Sequence, residues 1–167
     1  MIKLNNQSVI QSLNLRFGDQ ISVPSEPFGL LTFETSAGNI VEVLRFLKED
    51  KQLKFNYLTD ITGIHIPEKD HSIGVIYHLH SLSNNIRVRI KVFLDGNAPR
   101  IPSATIFWEG ANWMERETYD FFGIIFEGHP NLVRILNVDE MTVFPMRREY
   151  PLEDPNRVDK KDYFFGR

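Results

Sequence analysis

The densest set of groups able to move protons or hold charge lies in Trp113-Met114-Glu115-Arg116-Glu117-Thr118-Tyr119-Asp120-Phe121-Phe122-Gly123. On a helix, Arg116 and Asp120 stand four apart on one face, where they are expected to pair. Glu117 and Asp120 are three apart, which brings two carboxylates close. Such a pair performs acid–base chemistry when burial drives the two pKa values apart. An arginine beside Asp120 works against that, because it favours the ionised carboxylate. The favoured reading is an ion network that fixes the orientation of the helix.

Two imidazoles, His78 and His80, follow at i and i+2 and point the same way on a strand, as metal ligands can. His71 or His65 is the available third ligand, and no acidic residue stands at a telling distance. The competing and favoured reading is a polar, solvated sheet face shared with Arg87, Arg89 and Lys91. His129, in the turn after Glu127-Gly128, is expected to cap a backbone group rather than to donate protons. Arg147 and Arg148 lie on a proline-bounded segment, Pro145 to Pro151, and are expected to fork onto carboxylates of a partner. No glycine-rich phosphate loop, nucleophile elbow or HExxH helix occurs.

Composition narrows the chemistry further. The chain has no cysteine, which excludes disulfides, thiolate catalysis and cysteine-held zinc or iron–sulfur clusters. With a formal net charge of -3 it lacks the concentrated positive field of a nucleic-acid binder. At 42% hydrophobic and 25% charged residues it has the makings of one core of ordinary size. Residues 1–17 contain no apolar stretch of signal-peptide type, and no run is long enough to span a bilayer. Membrane association is therefore expected only through a partner.

The elements that must position these groups read as an α+β layer fold. Val9, Ile10 and Leu13 predict a short helix after Asn5-Asn6, closed at Phe17-Gly18-Asp19. A proline loop at 24–27 leads to a strand over Gly29 to Phe33, and Ile40 to Leu47 is an amphipathic helix. Three strands follow: Phe55 to Ile66, interrupted near Gly63, then Ile73 to Leu82 and Ile86 to Leu94. The last two alternate cleanly and are joined by Ser83-Asn84-Asn85, which predicts a hairpin. Ser103 is expected to cap a helix over Ala104 to Trp108. Asn112 with Glu115 reads as a capping box for a second helix, stopped at Gly123 in the left-handed conformation. Leu132 to Leu136 reads as a short strand. The expected whole is a mixed or antiparallel sheet of about four strands covered by helices on one face. Residues 1–144 form its single domain, and 145–167 an extended C-terminal docking arm.

The stretch from Gly110 to Leu136 resembles the signature of the C subunit of the NADH:quinone oxidoreductases (respiratory complex I). Glu115, Arg116, Glu117, Asp120, Phe122, Gly123, Ile124, Gly128, His129, Pro130, Arg134, Ile135 and Leu136 all match it. Outlying segments are similar in the same order: Phe55 to Asp60, Val75 to Leu82, Pro102-Ser103, and Pro145 to Pro151. The chain departs at His65, where the family often has aspartate, and at Met146, Arg148 and Glu149, which keep charge and bulk. The resemblance implies a scaffold of the peripheral arm, on the cytoplasmic side of the bacterial inner membrane. It also implies docking with the quinone-site D subunit and neighbouring peripheral-arm subunits. FMN and iron–sulfur clusters would belong to partner subunits, with no cofactor, metal, catalytic residue or small-molecule substrate in this chain. Electrons would pass from NADH to quinone in the assembled complex, coupled to proton translocation. No D-like extension follows the tail, so a stand-alone C subunit rather than a C–D fusion is expected. The domain also resembles parts of membrane-bound hydrogenases.

Overall fold

The computed structural model describes residues 4–150. Its elements run α1 (Asn6–Phe17), β1 (Leu31–Glu34), α2 (Ile40–Glu49), β2 (Tyr57–His65), β3 (Ile73–Ser81), β4 (Ile86–Leu94), β5 (Arg100–Pro102), α3 (Ala111–Phe122) and β6 (Ile125–Glu127). β1, β4, β3 and β2 form one sheet in that order, with β1 parallel to β4 and the other pairs antiparallel. The expected mixed sheet of four strands is therefore present.

Strand alternation decides which side is covered. Ile73, Val75, Tyr77 and Leu79 on β3 and Val88, Ile90 and Val92 on β4 are all sealed from solvent. Across the register Tyr77 meets Ile90, and Leu79 meets Val88, so these side chains make one continuous apolar face. α2 lays Ile40, Val43, Leu44 and Leu47 into the core, the i, i+3, i+4, i+7 stripe of a one-faced helix. α1 contributes Val9, Leu13 and Phe17, and begins with a capping box between Asn5 and Ser8. Each such side chain, fully buried, contributes roughly 1.5–3 kcal/mol of transfer free energy. The hairpin turn is held by Asn84, whose amide donates to the carbonyls of Gln52 and Leu53. Asn85 takes the left-handed conformation there, at φ 54°.

Several expectations need correction. β2 is not interrupted at Gly63; it runs unbroken, with a bulge between Leu58 and Asp60 instead. Gly63 marks a close approach: a Cβ there would stand 2.3 Å from the Phe122 ring of α3. Pro102 lies in β5 rather than at a helix start, and residues after Ser103 make a single turn closed by Phe107 and Trp108 on the Ala104 carbonyl. β5 and β6 form a second, parallel pair flanking α3, which sequence periodicity did not reveal. Leu132 to Leu136 forms no strand. Residues 145–150 are a succession of turns against the domain, and 151–167 lie outside the described residues. Among the described residues no helix is long and apolar enough to cross a membrane.

Candidate functional site

α3 carries Glu115, Thr118 and Asp120 on its buried side, all three within 3% of complete burial. Its start needs no capping side chain. The amides of Ala111 and Asn112 donate to the carbonyls of Trp108 and Glu109 in the preceding turn. Asn112 is thus inside the helix, not its cap, and Glu115 does not reach back to it. Glu115 crosses instead to the β5 end: Oε2 accepts from the Ser103 hydroxyl at 2.7 Å, and Oε1 from the Ala104 amide at 2.6 Å. Burial pushes its carboxyl up to about 7, against the lowering effect of these two donors. The sealed Tyr77 hydroxyl has no hydrogen-bond partner among the described residues. Burial, then the charge of Glu115, drives the Tyr77 pKa well above its ordinary value.

Asp120 does not pair with Arg116. Its Oδ1 accepts from Arg134 Nη1 at 2.6 Å, while Oδ2 accepts from the consecutive amides of Ile135, Leu136 and Asn137 at 3.1, 2.8 and 2.9 Å. Three successive N–H groups turned onto one carboxylate cannot alternate as a strand does, which is why 132–136 is not one. Burial raises the Asp120 pKa, but the amides of Asn137 and Leu136, Arg134 and the Ile135 amide outweigh it. The carboxyl is held well below the usual carboxylate range. Arg134 also donates to the carbonyls of Asp120, Met141 and Val143 and lies over the Phe144 ring. One ion pair therefore ties α3 to everything between 134 and 144.

Arg116 serves the same loop from outside. Its Nε and Nη2 donate to the carbonyls of Val133 and Arg134 at 3.1 and 3.0 Å, and its guanidinium stacks on Trp113. Glu117 is exposed while Asp120 is sealed and committed to Arg134 and the amides of 135–137, so the two carboxylates do not form an acid–base pair. His129 Nδ1 accepts from the Asn131 amide and its Nε2 faces the Asn112 carbonyl at 3.1 Å, so the ring stitches the turn at Pro130 to α3. Gly123 ends α3 at φ 72° and Gly128 turns at φ 83°, both in the left-handed region that favours glycine.

Arg147 also turns inward rather than toward a partner. Its Nε donates to the Phe122 carbonyl at 2.7 Å, its Nη1 lies 3.5 Å from the Gly96 carbonyl, and it stacks on Phe144. It closes the carboxyl end of α3. Arg148 is exposed, but its amide donates to His65 Nδ1 at 2.9 Å, and Glu149 lies 3.3 Å from the same nitrogen. His65 therefore anchors the chain at 148–149 to the end of β2.

The histidine pair has found other partners. Arg89 Nε donates to His78 Nε2 at 3.0 Å, Asp60 lies 3.5 Å from its Nδ1, and His80 faces Asn85. Desolvation, then Arg89, lowers the His78 pKa despite Asp60. Among the described residues no three His, Asp or Glu side chains converge in a metal-holding arrangement. Ser103, expected as a helix cap, and Tyr77, expected only on a strand face, join the site through the approach of distant segments.

Residues 33–156 match the family described as respiratory-chain NADH dehydrogenase, 30 kDa subunit. The C subunit of the NADH-quinone oxidoreductase of Citrifermentans bemidjiense is 42% identical, over 92% of this chain and 93% of that protein. The protein of the same name from Roseiflexus sp. strain RS-1 is 40% identical, over 89% and 86%. A trypsin-resistant fragment of Nqo5 superposes with a TM-score of 0.66 at 29% identity, over 75% of this chain and 98% of the fragment. A chain of an archaeal membrane-bound sulfane sulfur reductase shares the fold, with a TM-score of 0.74 at 23% identity, over 87% of this chain and 85% of that one. The matched segment begins within β1 and holds α2 through β6 and the whole Asp120–Arg134 network, and this chain belongs to the family of the respiratory-chain NADH dehydrogenase 30 kDa subunit.

Proposed function

We propose that this chain is a non-catalytic scaffold of the peripheral arm of a bacterial NADH:quinone oxidoreductase. In this reading it docks on the quinone-site D subunit, on the cytoplasmic side of the inner membrane. Partner subunits carry FMN and iron–sulfur clusters, and the complex passes electrons from NADH to quinone with proton translocation. The observation that carries the reading is the fate of the signature charges. Glu115, Arg116, Asp120, Arg134 and Arg147 are all bonded to this chain's own turns and loops, not aimed together into a cleft. The same region also turns large apolar side chains outward: Trp113, Leu136 and Val138 are exposed, the kind of anchor an interface is built on. Residues 151–167, with Tyr163, Phe164 and Phe165, supply further aromatic anchors for docking on the D subunit.

The test is purification of the complex from native membranes with a tagged chain. The chain is expected to bring down the D subunit. Deleting residues 151–167 is expected to leave the melting temperature nearly unchanged and to abolish that co-purification. The isolated chain is expected to show neither NADH oxidation nor flavin or iron absorbance. Dehydrogenase activity that survives rigorous separation, or unaltered assembly of the truncated chain, would refute the respective part of the reading.

A further inference from the structure

β2 is an edge strand: β3 pairs with one side, and no strand among the described residues pairs with the other. The opposite edge, β1, is covered, because Ile21 and Ser25 bridge to Thr35 and Thr32. Exposed edges are ordinarily guarded by proline, lysine, a bulge or a covering helix or loop. β2 contains neither proline nor lysine, and its bulge lies between Leu58 and Asp60, so the register from Asp60 to His65 is regular; α3 reaches this edge at Ile61, whose carbonyl accepts from the buried Thr118 hydroxyl at 3.4 Å. A groove of about 300 Å3 runs along that stretch, between the strand at Asp60 and Thr62 and the helix at Glu117 and Phe121, with Met146 beside it.

The rim of the groove is acidic. Glu117 is exposed and makes no ion pair among the described residues, and Asp60 has only His78, at 3.5 Å. Two carboxylates beside an otherwise largely apolar wall favour a cation between them. The described part of this chain does not follow the groove: the Met146 amide bonds the Phe121 carbonyl and the Arg148 amide bonds His65, so 146–148 cross its end.

We propose that the groove receives an extended segment of a neighbouring subunit, which adds to β2 as a further strand and sets a lysine or arginine between Asp60 and Glu117. Main-chain bonds to the strand edge provide affinity, and the acidic rim selects the register. The inference rests on the scaffold reading and names a surface that reading requires.

The chain has no cysteine, so Thr62→Cys gives it a single thiol at the groove. Maleimide labelling of that thiol and amide exchange over residues 61–65 of the unaltered chain are compared between the isolated full chain and the complex purified from native membranes. Both are expected to slow at least 10-fold in the complex. A photo-crosslinker at position 62 is expected to capture a lysine- or arginine-bearing peptide that belongs to a different polypeptide of the complex. The double variant Asp60→Lys, Glu117→Lys is expected to enter the complex at least 10-fold less well with an unchanged melting temperature. Equal exchange and labelling in both states would overturn the inference, as would a crosslink to residues 151–167 of this chain or to a segment without a basic residue. If the chain is present in the complex with its groove exposed, only this inference fails. If the chain is absent from the complex, the scaffold reading fails with it.

Discussion

Glu115 gives the most direct quantitative test of the site, because it is a sealed carboxyl without a cation. Its folded pKa stands at about 7 against an ordinary 4.5. At about 1.4 kcal/mol per pH unit, ionising it inside the fold costs about 3 kcal/mol. Below pH 4.5 the carboxyl keeps its proton in both folded and unfolded chains, and the fold is undiminished. Between 4.5 and about 7 the unfolded chain releases the proton first, so stability falls as pH rises; above about 7 the loss levels off. Asp120, whose pKa is lowered, works in the opposite direction, but its contribution is lost only as pH falls below its ordinary 3.8. The two windows are therefore separable. Glu115→Gln keeps an acceptor for the Ala104 amide and offers an N–H to the Ser103 hydroxyl, while removing the charge. The variant is expected to match the parent within about 1 kcal/mol at pH 5 and to exceed it by up to about 3 kcal/mol at pH 8. Urea unfolding at pH 5, 6, 7 and 8, with the slope m checked for constancy, reads the difference. Parallel pH profiles for the two proteins, or a variant less stable at pH 8, would refute a protonated, desolvated Glu115.

Other substitutions separate the remaining interactions. Arg134→Ala leaves Asp120 sealed without its cation and is expected to cost about 3–5 kcal/mol in denaturant unfolding, whereas Arg116→Ala removes two partly exposed bonds and should cost about 1 kcal/mol. The reverse order would restore the Arg116–Asp120 pairing that helical spacing suggests. Gly63→Ala forces a methyl group against Phe122 and is expected to lower stability by about 1–3 kcal/mol, measured by thermal melting. Tyr77→Phe removes a buried hydroxyl with no partner, so it should be neutral or stabilising by up to about 2 kcal/mol; a clear loss would reveal a partner for that hydroxyl.

What was legible in the sequence was local and periodic. Alternation over Ile73 to Leu82 and Ile86 to Leu94 identifies β3 and β4 and their core faces, because a strand repeats every two residues whatever it packs against. The stripe in Ile40 to Leu47 identifies α2, and Gly123 marks the end of α3, for equally local reasons. The order of the signature residues was enough to recognise the family. Partners across the fold were not legible. Arg116 at four residues is the neighbour that helical geometry offers Asp120, yet Arg134 takes the place, since a buried carboxylate is satisfied by whichever donors the chain brings round to it. Leu132 to Leu136 has strand composition, but the amides of Ile135 and Leu136, with that of Asn137 just beyond, are committed to that carboxylate, and a strand would withdraw them. Arg147 reads as an interface residue in an extended arm and instead closes α3, because Phe122 leaves a carbonyl unpaired at the helix end. Periodicity determines how a segment lies on the core; only the tertiary structure decides which distant groups meet beneath it, because buried charge must find a partner wherever the fold supplies one.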